Sequence, residues 1–153
     1  MKRIVSLFLT LLVLLCSFSC MAFATNETVL SVEHFEDGSY GVVSMSKSIV
    51  LFAGRGSVTE SKHYSYYDNN SNLDWRASIT ATFSYNGTSA SCTDVSKSTT
   101  IYDSAWKCTS SSCSKSGATA TGNFTFKRYV LLVPVQTVNK TLTLTCDANG
   151  NVS

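Results

Sequence analysis

From Ile79 to Tyr85 apolar and hydroxyl-bearing residues alternate without a break. Ile79, Ala81, Phe83 and Tyr85 fall on one phase, Thr80, Thr82 and Ser84 on the other. A period of two does not fit one side of a helix, whose period is 3.6; it describes a strand with one dry face and one wet face. The pattern recurs. Over residues 118–126 the even positions share a face, and Leu142, Leu144 and Cys146 lie opposite Thr141, Thr143 and Thr145. Less regular strands are expected over 28–35, 40–52, 58–67 and 98–108. Turns are expected at Asp37-Gly38, 54–56, 68–72, 110–112 and 148–151. No segment sustains a helical apolar period. An all-β fold follows: an antiparallel β-sandwich of about eight short strands.

Asn86-Gly87 follows Tyr85 directly. That dipeptide accepts φ > 0 at both positions and predicts a tight hairpin pairing Tyr85 with Thr88, Phe83 with Ala90 and Ala81 with Cys92. Cys92 is thereby expected to face the core. The stretch YVLLVPVQTVNKTLTLTC (129–146) joins an apolar run to a Thr/Leu alternation and holds the only proline, Pro134. Its apolar part is far shorter than the ~20 residues a membrane-spanning helix needs. It reads as a strand buried on both faces, or as the lead-in to one. Pro134 belongs at an edge or bulge, and the phase slip between Val135 and Val138 predicts one extra residue there.

The chain opens with Lys2 and Arg3, an apolar run over 4–15 and Ala22-Phe23-Ala24, the pattern of a secretory signal peptide cleaved after Ala24. Residues 4–24 are also about long enough for an uncleaved anchor. Neither Cys16 nor Cys20 follows a lipobox. Cleavage leaves one domain over 25–153, of 129 residues (153 − 24). Subtracting Lys2 and Arg3 from twelve basic residues leaves ten, against ten acidic ones. A net charge near zero gives no basic excess for nucleic acid or an anionic membrane, and no stable membrane insertion is expected after cleavage. The acidic run Glu27, Glu33, Glu36 and Asp37 reads as a solvated face. Serine and threonine supply 39 of the 129 residues. With a single proline among them, they read as strands rather than a stalk.

Removing Cys16 and Cys20 leaves Cys92, Cys108, Cys113 and Cys146. An even number in an exported chain reads as disulfides, with three possible pairings. Because Cys92 and Cys146 both fall on core faces, the expected pairs are Cys92–Cys146 and a local Cys108–Cys113. Loop entropy makes them worth roughly 4 and 2 kcal/mol. A zinc site would need a second close ligand pair, which Cys108 and Cys113 lack; His34 and His63 are remote in sequence. Cys92, Trp106 and Cys146 approximate the immunoglobulin Cys…Trp…Cys spacing, although Leu144 stands where a tyrosine belongs. The comparison makes the sandwich Ig-like in architecture and carries no function.

The segments TATFSYNGTSASCT (80–93), IYDSAWKC (101–108) and VPVQTVNKTLTLTCDANGNVS (133–153) resemble a group of small exported proteins of clostridia-type Gram-positive bacteria, a domain of unknown function. The resemblance spans roughly residues 75–153 and implies a bacterial, extracytoplasmic setting. It implies no activity, cofactor or catalytic residue.

Asp68, Asn70, Asn72 and Asp74 alternate like oxygen ligands in a calcium loop. Leu73 replaces the loop glycine, Ile79 the closing glutamate, and a polar turn is the plainer reading. Tyr64, Tyr66, Tyr67 and Trp75 flank the same loop and form a candidate binding surface, with core packing as the alternative. No nucleophile elbow, HExxH or catalytic Cys–His context occurs. The expected function is therefore non-catalytic binding outside the cell, with an envelope glycan or surface protein as partner and no cofactor. Alternatives are a secreted antibacterial or toxin-like protein and a hydrolase without a motif. No sorting motif precedes Ser153, so release or non-covalent envelope retention is expected.

Overall fold

The computed structural model describes residues 27–47 and 55–153. The expected signal peptide over 1–24 lies outside the described residues. Eight strands follow one another: β1 (Glu27–His34), β2 (Tyr40–Lys47), β3 (Gly56–Tyr67), β4 (Leu73–Tyr85), β5 (Ala90–Ile101), β6 (Trp106–Ser116), β7 (Thr119–Val130) and β8 (Val133–Thr145). They form a five-stranded sheet, β1-β2-β3-β4-β5, and a three-stranded sheet, β6-β7-β8. All pairs are antiparallel. The all-β sandwich required by the alternation is present. Each strand pairs with its neighbour in sequence, without the crossovers of an immunoglobulin domain. The immunoglobulin comparison thus extends to layering and not to connectivity.

β3 faces β8, β4 faces β7, and β5 runs beside β6. β1 and β2 therefore project beyond the smaller sheet, and every residue of β1 is exposed. Lys140 of β8 ties this overhang down by an ion pair with Glu33 of β1. Between the sheets Trp75 is fully buried and stacks on Phe126 at 3.7 Å and Tyr66 at 5.2 Å. Ile79, Phe83, Phe124 and Leu144 complete this layer. The opposite phase of the alternation forms the outer face of the large sheet. There Thr59 bonds Thr82 and Ser61 bonds Thr80 across strands, at 2.8 and 2.7 Å. These cross-strand hydroxyl pairs explain why a Thr-rich wet face stabilises the sheet rather than merely tolerating water.

Four local expectations are corrected. First, the 86–87 hairpin pairs Tyr85 with Ala90 and Phe83 with Cys92. The loop is two residues longer than a tight turn because Asn86 Oδ1 accepts the amides of Thr88 and Ser89, while Gly87 donates to Ala148 O. A slip of two preserves the faces, so Cys92 is still buried. Second, residues 110–112 lie within β6, and the turn falls at 102–105 instead. Serines signal turns by composition, but here they populate a strand with one largely exposed face and one half-buried face.

Third, Cys108 and Cys113 share β6, opposite Phe126 and Gly122. Five residues of strand span roughly 15 Å, beyond the ~7 Å limit for bridged α-carbons, so the local disulfide is ruled out. All four cysteines are thiols in this structure. Fourth, residues 129–135 are no buried strand. They form the tip of the β7–β8 hairpin, where Leu131 and Leu132 make the turn at φ 47° and 70°. They are 93% and 89% exposed. Pro134 does lie on an edge strand. The ladder passes from Arg128–Gln136 to Tyr129–Pro134, leaving Val135 as the extra residue.

Candidate functional site

At the end of the sandwich that carries the β1–β2, β3–β4 and β5–β6 turns, a polar pocket encloses about 250 Å³. Asp37 and Ser39 come from the first turn, Asp68, Asn69 and Asn70 from the second, and Asp103 from the third. Arg128 ends β7 and Gln136 comes from β8. Trp106 and the Tyr66 hydroxyl form the back wall. Asp74 enters through a bulge. Tyr66 pairs with Trp75 and Tyr67 with Leu73, so Asp74 is the unpaired residue of β4. Such an insertion re-aims a side chain, and here it turns a carboxylate into the pocket.

Hydrogen bonds fix most of the lining. Gln136 Nε2 donates to Tyr66 Oη at 3.1 Å, Tyr66 Oη to Ser39 Oγ at 2.7 Å, and Ser39 Oγ to Asp37 Oδ1 at 2.5 Å. Three elements, β8, β3 and the β1–β2 turn, are thereby locked into one chain of polar groups. The Ser39 hydroxyl and amide hold the Asp37 carboxyl below its ordinary pKa. The Asn72 side-chain and backbone amides do the same for Asp68. Asp74 behaves oppositely. Burial pushes its pKa up against the pull of the Trp106 indole, which donates to Oδ2 at 2.9 Å, and the charges of Asp103 and Asp68 add to the rise. Four carboxylates thus meet one guanidinium, Arg128, beside three amide side chains. This lining is built to receive hydroxyl and ammonium donors.

In the candidate calcium loop the Asp68 carboxylate is engaged by its own turn. Asp68 Oδ1 accepts the amides of Asn70 and Asn72, and Oδ2 accepts Asn72 Nδ2. Asp147 binds Asn149 and Asn151 in the same manner, so both D-x-N-x-N segments are one self-satisfied turn. Among the described residues no group of three or more His, Cys, Asp or Glu is placed to hold a metal. The aromatic surface is likewise corrected. Tyr64, Tyr66 and Trp75 are core residues, and Tyr67 is half-buried against the Tyr40 ring at 4.9 Å. Of this set only the Tyr66 hydroxyl reaches the pocket. The region 64–75 lines the pocket through polar atoms of Tyr66, Asp68, Asn69, Asn70 and Asp74. Asp37, Ser39, Asp103, Trp106, Arg128 and Gln136 carried no spacing signal, because five separate elements supply them.

A second polar cluster lies on the outer face of the large sheet. His63 Nδ1 is 2.7 Å from Ser78 Oγ, and His63 Nε2 is 3.7 Å from Glu27 Oε1. Arg76 bridges Glu27 and Ser65 at 3.1 and 2.9 Å. Residue types and order evoke a nucleophilic triad. Ser78, however, sits mid-strand, with its backbone engaged by β3 on one side and β5 on the other. The cluster instead fastens β1 to the sheet. Burial keeps the His63 pKa below its ordinary 6.5. The unfolded chain therefore takes up a proton first, and stability contributed by neutral His63 is present above pH 6.5 and is lost as pH falls toward the folded pKa. Thermal melts across this range are expected to decline more steeply for the wild type than for His63→Asn.

No family model matches the chain, nor does any curated protein or solved structure.

Proposed function

We propose that this protein is a non-catalytic binding domain acting outside the cytoplasm, at or near the bacterial envelope, and that the pocket of Asp37, Asp74, Asp103 and Arg128 receives an envelope glycan. The observation that carries this reading is the lining itself. Carboxyl groups, planar amides and a hydroxyl converge on one cavity over two aromatic side chains. Sugar hydroxyls are donors and acceptors together, and such groups orient them. The excess of carboxylates over Arg128 favours a sugar bearing a free amine. The extracytoplasmic setting rests on the leader pattern and on the resemblance of residues 75–153. Within that setting Cys92 and Cys146 are proposed to close a disulfide.

Titration calorimetry of the mature domain with amine-bearing and fully acetylated sugar oligomers tests the reading. The amine-bearing oligomer is expected to bind more tightly. Asp103→Asn is expected to weaken it at least tenfold, the loss of about 1.4 kcal/mol typical of one charge-assisted hydrogen bond. Equal absence of binding for both oligomers retires the proposal. Asp74 favours a second reading. A carboxyl whose pKa burial raises, beside Asp37 and Asp68 whose pKa values hydrogen bonds lower, resembles the pairing of unlike carboxyl groups used in glycoside hydrolysis. Chromatography of the same oligomers after incubation distinguishes the two readings, since only a hydrolase shortens them.

A further inference from the structure

The β7–β8 hairpin turns on two leucines where its geometry calls for Asn-Gly. Leu131 and Leu132 both take positive φ, 47° and 70°, the requirement of a type I′ turn that Asn and Gly meet without strain. Leucine in this region is held against its own preference. A fold that keeps two leucines under strain and exposes them almost completely is using them for something other than its own stability. Around them Val130, Val133 and Val135 are 51%, 60% and 56% exposed. The apolar side chains of the tip thus form one contiguous exposed stretch of the hairpin.

Just below the tip the chemistry changes. Lys107 and Lys127 are direct cross-strand partners. Like charges so placed repel, and a sheet gains nothing from them internally. The Lys107 ammonium lies 5.3 Å over the ring of Tyr129. Residues alternate along β7, so Lys127 faces outward while Arg128 turns into the pocket. The basic pair and the acidic cavity thus occupy opposite faces of the small sheet. Tyr102 adds another exposed aromatic on the neighbouring β5–β6 turn, which Tyr129 joins by donating its amide to Ala105 O. From Lys127 to Leu131 the strand covers about 13 Å. That places lysines at the headgroups, Tyr129 at the interface and leucines in the acyl region.

We infer that the Val130–Val133 tip inserts shallowly into an anionic lipid surface, with Lys107 and Lys127 contacting the headgroups. A net charge near zero concealed this, because the basic pair is local. A shallow anchor of this kind leaves the pocket free at the same end of the molecule, next to the membrane.

Vesicle co-sedimentation of the mature chain tests the inference, with phosphatidylcholine vesicles that contain or lack phosphatidylglycerol. The wild type is expected to bind the anionic vesicles more tightly, and added salt to weaken the binding. Leu131→Asn combined with Leu132→Gly is the decisive variant. It relieves the turn, so its melting temperature is expected to rise, while vesicle binding falls about a hundredfold, roughly tenfold for each leucine kept out of the hydrocarbon. A more stable protein that no longer binds cannot be dismissed as misfolded. Lys107→Gln with Lys127→Gln is expected to remove the preference for phosphatidylglycerol. Equal binding by wild type and the leucine variant overturns the inference. So does a wild type that ignores both vesicles, including the case in which light scattering finds a dimer that the leucine variant dissolves.

Discussion

Trp75→Ala is expected to cost about 3–5 kcal/mol, the range for removing a fully buried large aromatic side chain. Domains of this size have only about 5–15 kcal/mol in total, so the variant is expected to be partly unfolded at physiological temperature. The position explains the size of the effect. The indole is sandwiched between Phe126 of the small sheet, 11° from parallel, and Tyr66 of the large sheet, 3° from parallel. Tyr64 and Trp106 close its remaining sides. Removing it takes away a ring that both sheets pack against. The indole N–H is buried without a hydrogen-bond partner among the described residues. Trp75→Phe discards that unsatisfied donor together with part of the ring, and is expected to retain most of the stability. Urea melts of both variants check this. A Trp75→Ala protein with an unshifted midpoint would place the indole outside the load path between the sheets.

The same residue shows what a sequence can disclose. The alternation through Ile79, Ala81 and Phe83 specified the strand, its inner face and the burial of Cys92, because period-two patterning is a direct consequence of one wet and one dry side. The same phase runs back through Ala77 to Trp75, and the Asp74 bulge falls only before it, so the indole lies on the inner face as well. Beside a polar loop, the aromatic cluster nevertheless reads as a surface. A bulge does blur the pattern at Val135, where the slip was legible to within a residue. The hairpin turn at Leu131 and Leu132 was not legible at all, since it violates the turn chemistry by which turns are recognised. The pocket escaped for another reason. Asp37, Asp103, Arg128 and Gln136 become neighbours only through the stacking of two meanders, and no local spacing encodes that.

Oxidising the mature chain is expected to join Cys92 to Cys146 and to raise stability by about 4 kcal/mol over the reduced form on the chain-entropy model. The residues are 54 positions apart (146 − 92), so the bridge closes a long loop. Their backbones are already positioned. Cys92 N donates to Gly117 O and Cys146 N to Ala118 O, adjacent carbonyls of one turn. Both side chains belong to the same buried cluster. Burial raises both thiol pKa values, with Asp147 adding to the rise at Cys146. Thiolate is the attacking species, so spontaneous closure is expected to be slow at neutral pH and to accelerate as pH rises. Thiol titration is expected to fall from four groups to two, with the melting temperature rising in step. Cys92→Ser is expected to abolish both changes. Cys108→Ser and Cys113→Ser are expected to leave them intact, because extended β6 keeps those two sulfurs apart. Four titratable thiols after complete oxidation, or protection of Cys92→Ser equal to that of the wild type, would refute the pairing.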